Sequence, residues 1–131
     1  EELFPDEEGR LSSTWGAGDL IAAAQGALTI DIIEEEGLLA NATSRGRQFV
    51  ERLEDADRAV VEDVRGLGLL LAVEFDTKDR RDAVQEAALA RGLLTLGCGH
   101  ETLRVLPPLD VTAREVDLGA DLLVRAIDDA A

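Results

Sequence analysis

Apolar residues return along the chain at two different periods, and the places where the period changes mark the elements. Leu20, Ile21, Ala24, Leu28, Ile32 and Ile33 recur every three or four positions, behind Asp19 as an N-cap and ahead of Glu34, Glu35, Glu36 and a terminating Gly37. One long helix is predicted there. A second helix is predicted from about Leu39 to Asp55, with Ala42, Phe49, Val50 and Leu53 inward and Arg45, Arg47, Glu51 and Arg52 outward. Gly46 in its middle costs about 1 kcal/mol relative to Ala, so a neighbour packed too closely for a side chain is the expected reason. Past Ala56 the pattern shortens. Val60, Val61 and Val64 lead to Arg65, Gly66, Leu67 and Gly68, and an apolar run from Leu69 to Phe75 follows, which reads as two strands joined by a glycine turn.

Asp79 to Arg91 returns to helical spacing through Ala83, Val84, Ala87, Ala88 and Leu89 and stops at Gly92. Lys78 is expected in the polar turn before it. Leu93–Leu96 and Leu103–Leu106 are predicted strands, the second closed by Pro107 and Pro108, which cannot donate to a ladder. Thr112 and Glu115 form a capping-box pattern for a last helix reaching Ile127. Helices and strands do not alternate regularly, so the expected class is α+β, with a three- or four-stranded antiparallel or mixed sheet covered by helices. Residues 1–18, rich in Gly, Pro, Ser and acidic side chains, read as an irregular lead-in; 19–37 is the long helix and 38–131 the α+β domain.

Composition narrows the function. The 131 residues carry 13 basic and 28 acidic side chains, a net charge of −15, and are 46% hydrophobic. A field of that sign repels phosphate backbones, which argues against nucleic acid as a partner. No apolar run reaches the ~18 residues of a membrane span, so a membrane protein is not expected. A single cysteine, Cys98, excludes an internal disulfide and sites built on several thiolates, and points to a reducing cytoplasm. The chain has no Met, so a processed or partial product is expected. Lys78 is the one lysine among abundant Arg, Asp and Glu, a surface suited to holding water in concentrated salt, as in a halophile.

Several candidate sites are weak on chemistry. Gly66 and Gly68 begin a dinucleotide pattern, but position 71 is Leu and a strand follows, so they read as a turn. Cys98 and His100 offer two ligands in a glycine-rich loop, too few for a metal, and no orienting partner for a nucleophile. Asn41-Ala42-Thr43 matches a glycosylation acceptor inside a predicted helix of a cytosolic chain. Lys78 lies between Asp76 and Asp79, which favour its charged form, so it is expected to be solvated and not imine-forming.

Two stretches remain. Ser12, Ser13, Thr14, Trp15, Gly16, Ala17 and Gly18 put hydroxyls and backbone N–H groups before a helix start, where an anion cradle and a simple capping loop are equally good readings. Leu103-Arg104-Val105-Leu106-Pro107-Pro108-Leu109 alternates an arginine with apolar residues. Its guanidinium is costly to bury without an acid, so either an internal salt bridge or a bound carboxylate is expected.

Ser13-Thr14-Trp15-Gly16, the long helix, Asp63-Val64-Arg65-Gly66-Leu67-Gly68-Leu69 and Leu103–Leu109 stand in the order found near the C-terminus of class III aminotransferases. The chain resembles that family over nearly its whole length, with Ser-Thr-Trp-Gly most similar to the 4-aminobutyrate and lysine 6-aminotransferase branch; Ala17, Gly18 and Asp19 depart from the family's Gly-Gly-Asn-Pro. The resemblance implies the C-terminal part of a fold-type I, pyridoxal 5'-phosphate enzyme that moves an amino group from an omega-amino acid such as 4-aminobutyrate to 2-oxoglutarate or another keto acid. It implies that Thr14, helped by Ser13, reaches the cofactor phosphate of the other subunit of a homodimer, and that Arg104 binds a substrate carboxylate. The family's imine-forming lysine, its pyridine-pairing carboxylate and its ring-stacking aromatic all lie upstream of the matching region. The chain alone is therefore expected to be inactive. The alternatives are a stand-alone dimerisation module derived from that fold, or an aminomutase or racemase of the same family.

Overall fold

The computed structural model describes residues 19–130. It divides into two units at the Glu36/Gly37 boundary. The described part of the first is α1 (Leu20–Glu35), started by Asp19, whose carboxylate accepts from the Ile21 N–H at 2.9 Å and the Ala22 N–H at 3.3 Å. No residue of α1 is buried, and Ile21, Leu28 and Ile30 are all exposed.

The second unit holds the remaining elements in the order α2 (Leu38–Asp55), β1 (Val61–Leu67), β2 (Leu70–Phe75), α3 (Lys78–Ala90), β3 (Leu96–Cys98), β4 (Thr102–Val105) and α4 (Ala113–Ala130). The strands form one antiparallel sheet in the order β1-β2-β4-β3, an α+β arrangement as expected. Alternation decides its two faces. Leu71, Val73 and Phe75 of β2 and Leu103 and Val105 of β4 are buried under α2, α3 and α4, while Ala72, Glu74, Thr102 and Arg104 point the other way and are only half-buried. A register shift between Val61 and Asp63 lets Val61 and Val64, three apart, both turn to the core. Within this unit the described helices thus cover one face of the sheet and leave the other open.

Each helix buries a stripe. In α2 it is Leu38, Ala42, Gly46, Phe49 and Leu53, and in α4 Val116, Ala120, Leu123 and Ile127. Their seam is closed by polar contacts: Gln48 donates to Asp117 at 2.8 Å, Arg52 pairs with Asp121, and Arg58 Nε lies 2.5 Å from Asp128 Oδ1. The close neighbour expected of Gly46 is the β1–β2 turn. A Cβ at Gly46 would lie 1.9 Å from the Gly68 carbonyl oxygen, and Gly68 itself has φ +56, a left-handed turn conformation. Gly66 and Gly68 therefore serve the strand turn, not a dinucleotide.

The boundaries of α3, β3 and β4 differ from the sequence reading, each for a local reason. α3 begins at Lys78 because Thr77 caps it, its hydroxyl accepting from the Arg80 N–H at 3.3 Å, so Lys78 belongs to a helix and not to a turn. Its buried stripe is Arg81, Val84 and Ala88, and Leu89 is exposed. β3 is Leu96–Cys98 and not Leu93–Leu96, because the Leu93 N–H donates back to Ala88 O at 2.9 Å and Leu93 packs on the core. β4 starts at Thr102, paired with Cys98, and ends before Leu106, which is exposed.

Candidate functional site

The open face of the sheet carries two cross-strand rows, set by register. One row runs Arg65, Ala72, Arg104, Leu96; the other runs Asp63, Glu74, Thr102, Cys98. A groove of about 560 Å³ lies along them, walled by Leu67, Leu70 and Ala72, with Arg65, Cys98, Thr102 and Arg104 on its polar side. Its walls are mostly aliphatic, and two guanidinium groups face it from strands on either side of β2.

Those two arginines differ in their partners. Arg65 donates to Asp63 at 2.7 Å and also to Glu74, and these hydrogen bonds, Asp63 first, push its pKa above the usual guanidinium value. It is neutralised by the fold. Arg104 makes no ion pair or side-chain hydrogen bond with any described residue, and its Nε is buried without a partner. An unpaired guanidinium half-sunk in an apolar groove carries a desolvation cost that an anion offsets, and its planar fork fits a carboxylate in two-point fashion. Of the two readings open for Arg104, the internal salt bridge is absent among the described residues.

The other sequence candidates separate cleanly. Lys78 Nζ is exposed and pairs with Asp82 Oδ2 at 2.6 Å, one helical turn on, instead of with its flanking Asp76 and Asp79. Cys98 ends β3 and does not sit in the loop; His100 lies in the following turn, and no group of three or more His, Cys, Asp or Glu side chains able to hold a metal occurs among the described residues. The Asn41 amide is engaged internally, donating to Leu109 O at 2.8 Å and Val111 O at 3.0 Å. Ser13 and Thr14 lie outside the described residues. No described helix is long and apolar enough to cross a membrane. Arg81, absent from every sequence candidate, is the one buried charged side chain among the described residues.

The aminotransferase class-III family profile matches residues 3–127. The chain belongs to the class III aminotransferases. Acetylornithine aminotransferase of Thermosynechococcus vestitus is 38% identical over 127 residues, covering 92% of this chain and 30% of that protein. L-lysine-epsilon aminotransferase of Amycolatopsis lactamdurans is 35% identical over 122 residues, covering 90% of this chain and 27% of the relative. Among solved structures, lysine aminotransferase from M. tuberculosis superposes with a TM-score of 0.82 at 33% identity, covering 95% of this chain and 29% of that one. Ornithine aminotransferase from Plasmodium yoelii gives a TM-score of 0.84 at 30% identity, over 95% of this chain and 34% of that one. The chain spans about a third or less of the length of these relatives.

These neighbours make the α+β unit a fold-type I aminotransferase domain, and class III aminotransferases use pyridoxal phosphate. The described residues do not themselves make a site for that cofactor. Their one lysine, Lys78, is a solvated ion-pair member, and no carboxylate or aromatic ring is aimed into the groove beside Arg104 to hold a pyridine. What they do offer is a guanidinium, that of Arg104, lining the groove without a described acidic partner.

Proposed function

We propose that this chain is the C-terminal portion of a pyridoxal phosphate-dependent aminotransferase and that Arg104 binds the carboxylate of its amino acid or keto acid substrates. The observation that carries the reading is the contrast between Arg65, satisfied by two carboxylates, and Arg104, which faces the same groove with none among the described residues. The chemistry of the amino transfer belongs to the bound cofactor, and this part of the protein supplies orientation and charge. Residues 1–18 form the cofactor-phosphate and dimer-interface segment of a homodimer, with Thr14 and Ser13 as hydroxyl donors to the phosphate of the neighbouring protomer. Residues 19–37 link the large domain to the small domain, 38–131. The imine-forming lysine lies outside this chain, so the 131 residues alone have no turnover.

The names of the relatives favour a donor whose amine is remote from its carboxylate. Acetylornithine, L-lysine and ornithine are of this kind, and 4-aminobutyrate is a shorter acid of the same class, with 2-oxoglutarate as the acceptor. The net charge of −15 with one lysine supports a cytoplasm of concentrated salt. The test is glutamate formation by the full-length protein, loaded with pyridoxal phosphate, from each donor with 2-oxoglutarate. Glutamate from at least one omega-amino donor is expected. Racemised or rearranged donor without any acceptor would replace the reading with a racemase or aminomutase, and no reaction at all would favour a non-catalytic module.

A further inference from the structure

Arg81 is a charged side chain only 6% exposed, on the covered side of the sheet, away from the open groove. Its Nε lies 2.7 Å from Asp82 Oδ1, an ion pair without the alignment of a hydrogen bond. What it touches gives the reason for its place. A Cβ built at Gly97, the middle residue of β3, would lie 2.3 Å from Arg81 Nη1, 3.0 Å from its Cζ and 3.1 Å from Gln85 Oε1. The guanidinium therefore fills the space that a side chain at 97 would occupy.

That strand is the weak point of the sheet. β3 has three residues, sits at an edge and is paired only with β4. Its pairing partners are Leu96 with Arg104, Gly97 with Leu103 and Cys98 with Thr102. Leu96 and Cys98 thus stand beside Arg104 on the open face, while Gly97 between them faces Arg81. A short edge strand frays unless something holds it from behind. We propose that Arg81 is a positioning residue for acid binding: it presses on Gly97 from the helix side, keeps β3 on β4, and so fixes the wall against which the Arg104 guanidinium is set. This inference rests on the reading of Arg104 as the carboxylate-binding residue.

The test is a double-mutant cycle in the full-length holoenzyme with Arg81→Ala, Gly97→Ala and the pair, plus Arg81→Lys. Steady-state kinetics with 2-oxoglutarate and amide hydrogen exchange at residues 96–98 and 102–105 are the two readouts. Arg81→Ala is expected to raise the KM for the keto acid about tenfold, with kcat changed by less than about twofold, because binding and not chemistry is disturbed. Exchange should quicken in β3 and β4 and stay unchanged in α4 and the β1–β2 hairpin. Gly97→Ala should do the same by displacing the guanidinium, Arg81→Lys should fall between, and the pair should be no worse than Arg81→Ala alone, since the new methyl enters the vacated space. An additive cycle, or Arg81→Ala with unchanged KM and unchanged exchange, overturns the proposal. A loss of kcat and of protection throughout the unit also overturns it, since Arg81 would then be a general packing residue. If Arg104→Gln itself leaves the keto-acid KM unchanged, the acid-site reading fails instead, and the exchange arm of the cycle still decides whether Arg81 holds β3.

Discussion

Gly46→Ala tests how tightly α2 is seated on the sheet. In an ordinary helix interior this change stabilises by about 1 kcal/mol. Here the added methyl carbon would lie 1.9 Å from the Gly68 carbonyl oxygen and 2.6 Å from its carbon. Carbon–oxygen contacts settle at about 3.3 Å or more, so helix and turn must separate by roughly 1.4 Å. The turn has little room to yield: Gly68 has φ +56, and both strands it joins are held in register. Overpacking of a backbone of this kind costs about 3 kcal/mol, the upper end of the usual range. The net loss is about 2 kcal/mol, a fall in Tm of roughly 8 °C for a domain of this size. Thermal unfolding followed by far-ultraviolet circular dichroism measures it, with Gly119→Ala in α4 as the control. A Cβ at Gly119 meets only Leu93 Cδ1 at 4.0 Å, an ordinary contact, so that variant should gain stability. A Gly46→Ala protein as stable as Gly119→Ala would mean that α2 is not seated on the β1–β2 turn as closely as this.

The remaining predictions concern the polar ties. Asn41→Ala removes two hydrogen bonds to Leu109 and Val111 and leaves those carbonyls without it, so a loss of about 2 kcal/mol is expected in urea unfolding; Asn41→Asp, which faces them with a carboxylate, should be worse. Glu115 is held below the usual carboxylate range by the Thr112 backbone N–H and then the Thr112 hydroxyl, and Asp128 by its hydrogen bonds from Arg58. Both contribute stability that is complete above the unfolded carboxylate pKa, near 4, and is lost as pH falls through their lower folded values. The urea midpoint should therefore drop on acidification below about pH 5, less steeply in Asp128→Asn, and an acid profile identical in that variant would contradict the assignment. Raising KCl from about 0.1 M to 2 M should raise Tm, because screening relieves the −15 charge; a flat or falling Tm removes the argument for a salt-adapted surface.

Much of this fold was legible because local signals agreed with the tertiary ones. Asp19, Gly37 and the Thr112/Glu115 box lie at observed helix ends, and the stripe of α2 is nearly that read from spacing. The expected crowding at Gly46 was legible as a propensity conflict, though not its partner, since only the register brings Gly68 under α2. β3 was misplaced by two to three residues because Leu93–Leu96 is apolar enough for a strand, and the bond from Leu93 back to Ala88 is not a sequence signal. Arg81 escaped for a related reason. It shares the spacing of Val84 and Ala88, but a charged residue at that position reads as solvent-facing until a glycine across the interface makes room for it. For Arg104 the alternation of the strand posed the right question, acid or salt bridge. The register places Asp63 and Glu74 on Arg65 and leaves Arg104 beside Ala72 and Leu96, so that no described residue makes the salt bridge.

The proposed contact between Arg104 and a substrate carboxylate is read out by the KM for 2-oxoglutarate in full-length Arg104→Gln and Arg104→Lys. Losing a charge-assisted contact of about 1.5–3 kcal/mol corresponds to a rise of roughly ten- to a hundredfold in KM. Lysine should recover only part of it, because it keeps the charge without the fork. A KM unchanged in both variants would contradict the account.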